Sequence, residues 1–147
     1  MSNHPTRDDA LALLHEYTKS DSLRRHALGV EQAMLKMAEK YGGDLNEWGI
    51  AGLLHDFDYE MYPTIEEHPY KGNEILNDRG YSESICKAIM GHATYTGVPR
   101  DTDMAKALFS VDELTGFIFA VTYVRPSRSI FEVQPKSVKK KLKQKSF

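Results

Sequence analysis

Apolar residues recur at spacings of three and four through most of the chain, the signature of helices that bury one face. Thr6 and Asp9 match a capping box, and Ala10, Leu11, Leu14 and Tyr17 follow on one face, predicting a first helix. A second is predicted from Asp21–Ser22 to the Gly42–Gly43 pair, on the stripe Leu23, Ala27, Val30, Met34, Met37 and Ala38. Asn46 is the expected N-cap of a third, which carries Trp48, Ala51, Gly52 and Leu54 and ends near Asp56. Pro63 bars any continuation, so residues 57–67 are expected to form an ordered loop. Pro69, at a first helical position, opens a fourth helix over Tyr70–Arg79 that Gly80 closes. Ser82 caps a fifth, with Ile85, Ala88 and Ile89 inward. After the turn-rich Gly97-Val98-Pro99-Arg100-Asp101, a sixth runs from about Thr102 to Thr122 on Ala105, Leu108, Phe109, Val111 and Leu114. Only Phe117 to Val124, within that helix, also reads as a strand. Beyond Pro126 and Pro135 the pattern predicts a short turn and a basic helix. The expected fold class is all-α, one domain over residues 1–147 with its core at about 20–125 and a basic tail at 135–147.

Composition narrows the class without changing this picture. The chain has 147 residues, 41% hydrophobic and 27% charged, the balance of one globular domain and not of a disordered or fibrous chain. No apolar run approaches the roughly 18–20 residues needed to span a bilayer. The first nine residues are polar and lack a signal-peptide core, and the single cysteine, Cys86, has no internal disulfide partner. Together these predict a cytoplasmic protein without a membrane partner. The net charge of −2 conceals an asymmetry. Lys136, Lys139, Lys140, Lys141, Lys143 and Lys145 crowd the last dozen residues, which leaves 13 cations against 21 acids elsewhere. A body that acidic repels a nucleic-acid backbone, so nucleic acid is not the expected partner, and the basic run reads as a solvated helix face.

Chemistry enters where polar residues interrupt the apolar stripes. His26 falls between Leu23 and Val30, His55 follows Ala51 and Gly52, His92 follows Ala88 and Ile89, and Asp112 follows Leu108 and Phe109. Three imidazoles and a carboxylate therefore face inward from four helices, and Asp56 adds a second carboxylate. Unpaired carboxylates in an apolar interior cost several kcal/mol. No Lys or Arg occupies these stripes to neutralise them, whereas a divalent cation would.

In this arrangement the chain resembles the HD superfamily of metal-dependent phosphohydrolases, which takes its name from an adjacent His-Asp pair. The first histidine stands in Arg24-Arg25-His26-Ala27-Leu28-Gly29-Val30, the doublet in Gly52-Leu53-Leu54-His55-Asp56-Phe57, and the closing aspartate in Ser110-Val111-Asp112-Glu113-Leu114. His26 lies 29 residues before the doublet and Asp112 lies 56 residues after Asp56. His68-Pro69-Tyr70-Lys71-Gly72 and Ile89-Met90-Gly91-His92 are similar to the two further histidine segments of members that hold two metal ions. The resemblance implies a helical HD-domain fold around a metal site. One ion would take His26, His55, Asp56 and Asp112, and a second would take His68 and His92 with Asp56 as the bridge. Fe, Mn, Co, Ni or Zn suit such imidazole and carboxylate donors. His4 and His15 match nothing in the pattern and are expected at the surface.

The implied activity is hydrolysis of a phosphoester or phosphoanhydride in a small, nucleotide-like substrate, with a hydroxide shared by the ions as nucleophile. Lacking the Gly-Tyr-Pro extension of the cyclic-di-GMP phosphodiesterases, the chain is similar to the small stand-alone members. Lys71, one turn into the helix that follows His68, is the expected phosphate-binding cation, ahead of Arg25, Arg100, Lys106 and Arg128. Asp58, Tyr59 and Glu60 are read as shaping the pocket mouth. Mixed-valent di-iron oxygenases on the same fold share the six ligands and form the alternative reading, and a metal-bound module without turnover is a third.

Overall fold

Thr6 opens the first helix as its neighbours require. Its hydroxyl accepts from the Asp9 N–H at 3.2 Å, and Asp9 accepts from the Thr6 N–H at 2.8 Å, so two of the helix's orphan donors are satisfied reciprocally. A computed structural model of the protein describes residues 3–147, and α-helices are the dominant element among them, with no strand. In chain order they are α1 Arg7–Tyr17, α2 Asp21–Tyr41, α3 Leu45–Leu54, α4 Tyr70–Asp78, α5 Glu83–His92, α6 Asp103–Tyr123 and α7 Pro135–Leu142. The chain divides into two compact units, the first ending at Asp112 and the second comprising Glu113–Phe147.

The first unit is organised around α3. Every residue from Trp48 to Leu54 is buried, the mark of a helix enclosed on all sides. Ala27, Val30, Met34 and Ala38 of α2 pack with it in the core, together with Ala10, Leu13 and Leu14 of α1. Gly52 makes the close approach of α2 possible, because a Cβ there would lie 2.9 Å from both the Val30 carbonyl oxygen and Met34 Cγ. Beyond α3, Phe57 is buried edge-on to Tyr17 with ring centroids 5.4 Å apart, and its carbonyl accepts from the Thr18 hydroxyl. These contacts fix where the chain leaves α3, and so where His55 and Asp56 point.

Three expectations need correction. Asp44, not Asn46, caps α3, since its carboxylate accepts from the Glu47 N–H at 2.8 Å. Pro69 is the N-cap of α4 rather than its first residue, and it follows a cis peptide bond from His68. Phe109 and Leu114 are exposed although they lie on the expected stripe of α6. Phe109 instead presents its ring to Arg100, whose guanidinium carbon sits 3.9 Å from the ring centroid, an arrangement that a half-solvated cation–π pair favours. Phe117 to Tyr123, readable as strand, is helical.

The second unit contains the end of α6, a 3₁₀ turn at Ile130–Glu132 and the basic α7. Among the described residues no helix is long and apolar enough to cross a membrane.

One buried charge in the first unit supports a stability prediction. Glu31, on α2, is 1% exposed and is gripped by Arg7 through two bonds, 2.7 Å from Nε and 2.9 Å from Nη2. Arg7→Ala would leave that carboxylate buried without its partner. The expected loss is about 2 kcal/mol, read as a fall in Tm of roughly 5 °C. The double variant Arg7→Ala/Glu31→Leu should recover most of it, because replacing both partners removes the desolvated charge. A single variant that melts with the wild type would mean that water reaches Glu31.

Candidate metal centre

Five segments of the first unit deliver six side chains to one place. His26 comes from α2, His55 and Asp56 from the end of α3, His68 from the turns before α4, His92 from the last position of α5, and Asp112 from α6. Two clusters result, His26–His55–Asp56–Asp112 and Asp56–His68–His92, and within each the candidate ligand atoms lie within 4.8 Å of one another. The structure brings together every metal ligand expected from sequence. Their imidazole rings interlock edge to face, with centroids 5.2 Å apart for His26 and His55, 5.3 Å for His55 and His92, and 5.4 Å for His68 and His92.

Asp56 belongs to both clusters because its two oxygens face different ways. Oδ2 lies 3.3 Å from His55 Nε2, while Oδ1 lies 3.2 Å from His68 Nε2 and 3.1 Å from His92 Nε2. Asp112 Oδ1 meets His26 Nε2 at 2.9 Å and His55 Nε2 at 3.1 Å. In each of these contacts the histidine offers Nε2. The opposite nitrogens of three rings are engaged elsewhere. His55 Nδ1 donates to the Gly52 carbonyl at 2.7 Å, His92 Nδ1 to the Ile89 carbonyl, and His68 Nδ1 to Asp58 Oδ1 at 2.6 Å. Such outward hydrogen bonds fix the tautomer and leave Nε2 as the inward donor.

The electrostatics call for a cation. Among the described residues no Lys or Arg forms an ion pair with Asp56, Asp58 or Asp112. Without a metal, protons on His55 and His68 take that role. Burial is the largest influence on His55 and disfavours its charge, yet Asp56 and Asp112 together hold its pKa well above the usual imidazole value. His68 is also pushed down by burial, but hydrogen bonds to Asp56 and Asp58 raise it to about 9. Asp56 and Asp112 are both lowered despite their desolvation, by the imidazoles around them. The C-terminal ends of α3 and α5 reach the cluster as well, and their partial negative charge favours a cation there. The donor set, its mutual reach and its unbalanced negative charge all fit divalent metal ions.

Outside this cluster the expected residues fare differently. Lys71 lies in the first turn of α4 with a side chain 47% exposed and Nζ 3.5 Å from Glu74. Arg100 is engaged by the Gly91 carbonyl, to which it donates at 2.8 Å, and by the Phe109 ring. His4 and His15 are exposed. Of the residues read as a pocket mouth, Tyr59 is exposed and edge-on to His68, with centroids 5.5 Å apart. Glu60 instead accepts from the Lys19 and Ser20 N–H groups at 2.6 and 2.9 Å, so it ties the loop to the start of α2. Asp58 is buried behind His68. Tyr95, which sequence reasoning passed over, donates from its hydroxyl to the His68 carbonyl at 2.5 Å. It is half-exposed on the 3₁₀ turn after α5, and nothing in the periodicity marks it.

Comparison with known proteins agrees with this geometry. Residues 23–115 match the model of the HD domain. The chain is similar to a symmetrical bis(5'-nucleosyl)-tetraphosphatase of Staphylococcus aureus (strain NCTC 8325 / PS 47), with 30% identity over 122 residues. That alignment covers 71% of this chain and spans 59% of the relative's length. No solved structure matches. His26 and Asp112, the outermost of the six converging side chains, both fall inside the matched span, and the chain belongs to the HD-domain family.

Proposed function

We propose that the protein is a metal-dependent phosphohydrolase that cleaves a phosphoester or phosphoanhydride of a small nucleotide-like substrate at a two-ion centre. The observation that carries this reading is Asp56, whose oxygens divide between the two histidine clusters. His26, His55, Asp56 and Asp112 would hold one ion, and Asp56, His68 and His92 the other. The donors are imidazole nitrogens and carboxylate oxygens, which suit Fe, Mn, Co, Ni or Zn. Bound divalent ions supply Lewis acidity toward a phosphoryl oxygen and activation of water. The chain's own side chains keep the frame rigid. Each Nε2 is aimed inward, and Asp56 and Asp112 balance the charge of the ions while remaining 27% and 19% exposed, so the centre stays open to substrate. The name of the Staphylococcus relative supports a nucleotide polyphosphate as the substrate class.

Lys71 is proposed to bind a phosphate beside the centre. Its pairing with Glu74 is a surface contact worth at most about 1 kcal/mol, so the ammonium is free to turn toward a bound anion. Lys71→Met should raise KM for phosphorylated substrates roughly tenfold, the loss of one charge-assisted hydrogen bond, and leave metal content unchanged. Steady-state kinetics with unaltered KM and kcat would make Lys71 a surface residue only.

Elemental analysis of protein purified without added metal, followed by a phosphatase screen, tests the whole reading. The panel should include nucleoside mono-, di- and triphosphates, a symmetric dinucleoside tetraphosphate and p-nitrophenyl phosphate. Phosphate release that chelation abolishes and re-addition of metal restores is the expected result. Two bound irons with O₂ consumption and no hydrolysis would replace it with the oxygenase reading.

A further inference from the structure

We propose that Asp58 is a positioning residue for the second cation subsite: its buried carboxylate sets the ring of His68, and Gly72 is the residue that makes room for it. The inference rests on the two-ion reading above and concerns how one of its ligands is held.

His68 differs from the other inward histidines in what its chain can offer it. His55 and His92 each hydrogen-bond the carbonyl three residues earlier, at Gly52 and Ile89, so the end of their own helix orients the ring. His68 precedes α4 in a run of turns and has no such helix behind it. The Asp58 side chain takes that place, with Oδ1 accepting from Nδ1 at 2.6 Å. Of the three inward rings His55, His68 and His92, only His68 turns its Nδ1 to a carboxylate. A carboxylate there fixes the ring and strengthens Nε2 as a metal donor more than a carbonyl does.

Asp58 is itself held at both ends. Its Oδ2 accepts from the Gly72 N–H at 2.9 Å. That donor belongs to the first turn of α4, where helix N–H groups lack partners within the helix, and the N-cap Pro69 has no side-chain acceptor to supply one. One carboxylate thus caps α4 from a distance and aims His68. With 1% exposure, and its oxygens engaged by the outward Nδ1 of His68 and by the Gly72 N–H, Asp58 is a support and not a ligand. Gly72 is part of the device, since a Cβ there would lie 2.7 Å from both Cγ and Oδ2 of Asp58. Any larger residue must push the carboxylate and, through it, His68.

The test uses the whole chain and Mn²⁺ alone, titrated calorimetrically into metal-free wild type, Asp58→Ala, Asp58→Asn and Gly72→Ala, with bound metal counted by mass spectrometry. Two ions are expected in the wild type. Asp58→Ala should weaken the second by roughly 10- to 100-fold while the first binds as before, which also certifies that the variant is folded. Asp58→Asn should recover part of the loss, because its amide oxygen still accepts from Nδ1. Gly72→Ala should weaken the second ion although it removes no polar group. Wild-type affinity for both ions in Asp58→Ala and Gly72→Ala overturns this inference alone. Equal weakening of both ions makes Asp58 a structural residue and overturns it too. A wild type that takes up a single ion overturns the two-ion reading, and this inference with it.

Discussion

Asp56→Ala is expected to leave one bound ion or none and to lower kcat by about 10³-fold or more. The size follows from the several kcal/mol of charge stabilisation that a metal centre contributes, at about 1.4 kcal/mol per factor of ten. The cause is specific to this carboxylate. Oδ2 faces His55 while Oδ1 faces His68 and His92, so its removal takes a donor from both clusters at once. Asp56→Asn is the informative companion, because it keeps the shape and one oxygen but loses the charge that offsets two cations. Mass spectrometry of the purified variants gives the metal count, and circular dichroism shows whether the helices survive. Two retained ions and full turnover in Asp56→Ala would remove the residue from the centre.

His92→Ala should take metal content from about two ions to about one and reduce turnover by roughly 100-fold or more, with the fold intact. The ring contributes Nε2 to the Asp56–His68–His92 cluster and nothing to the other. His68→Ala should match it in metal content but not in stability. In that variant Asp58 keeps the Gly72 N–H and loses its imidazole, leaving a buried carboxylate half satisfied at about 1–3 kcal/mol. Thermal melts of the two metal-free variants should therefore separate, His68→Ala lower. If either variant keeps two ions, its histidine belongs outside the centre.

What sequence made legible was local. The Thr6–Asp9 box, the Ser82 cap and the end of α2 depend on residues within one helical turn of each other, and the structure has them as expected. The inward His26, His55, His92 and Asp112 were visible because each breaks an apolar stripe whose period is fixed by helix geometry. Exposure of Phe109 and Leu114 was not visible, because periodicity says which residues share a face but not how far the neighbouring packing extends over it. Nor could it rank Asp44 above Asn46, since both are good caps two residues apart. The role of Asp58, read as part of the pocket mouth, escaped for a different reason. It sits ten residues before His68 and fourteen before Gly72 in a stretch without periodicity, and only the folded path of the loop brings the three together. A carboxylate two places after the doublet, with a glycine four places after the next histidine, was the signal available. Tyr95 reaches His68 across 27 residues and had none.

The hydrogen bond between His26 and Asp112 joins residues 86 apart in sequence. Bringing such distant positions together sacrifices chain entropy that grows with the logarithm of the loop length, and three further segments meet at the same point. Whatever cation is seated there can only be coordinated by a chain already folded from α2 to α6. Its binding free energy is then added to the global unfolding free energy of that unit, as RT ln(1 + [L]/Kd), and not to any local opening. Backbone amides exposed only by complete unfolding, in α2 and α3, would have their hydrogen exchange slowed by the full factor, whereas those of fraying helix ends would not. In this protein the candidate metal centre doubles as the clasp of the fold.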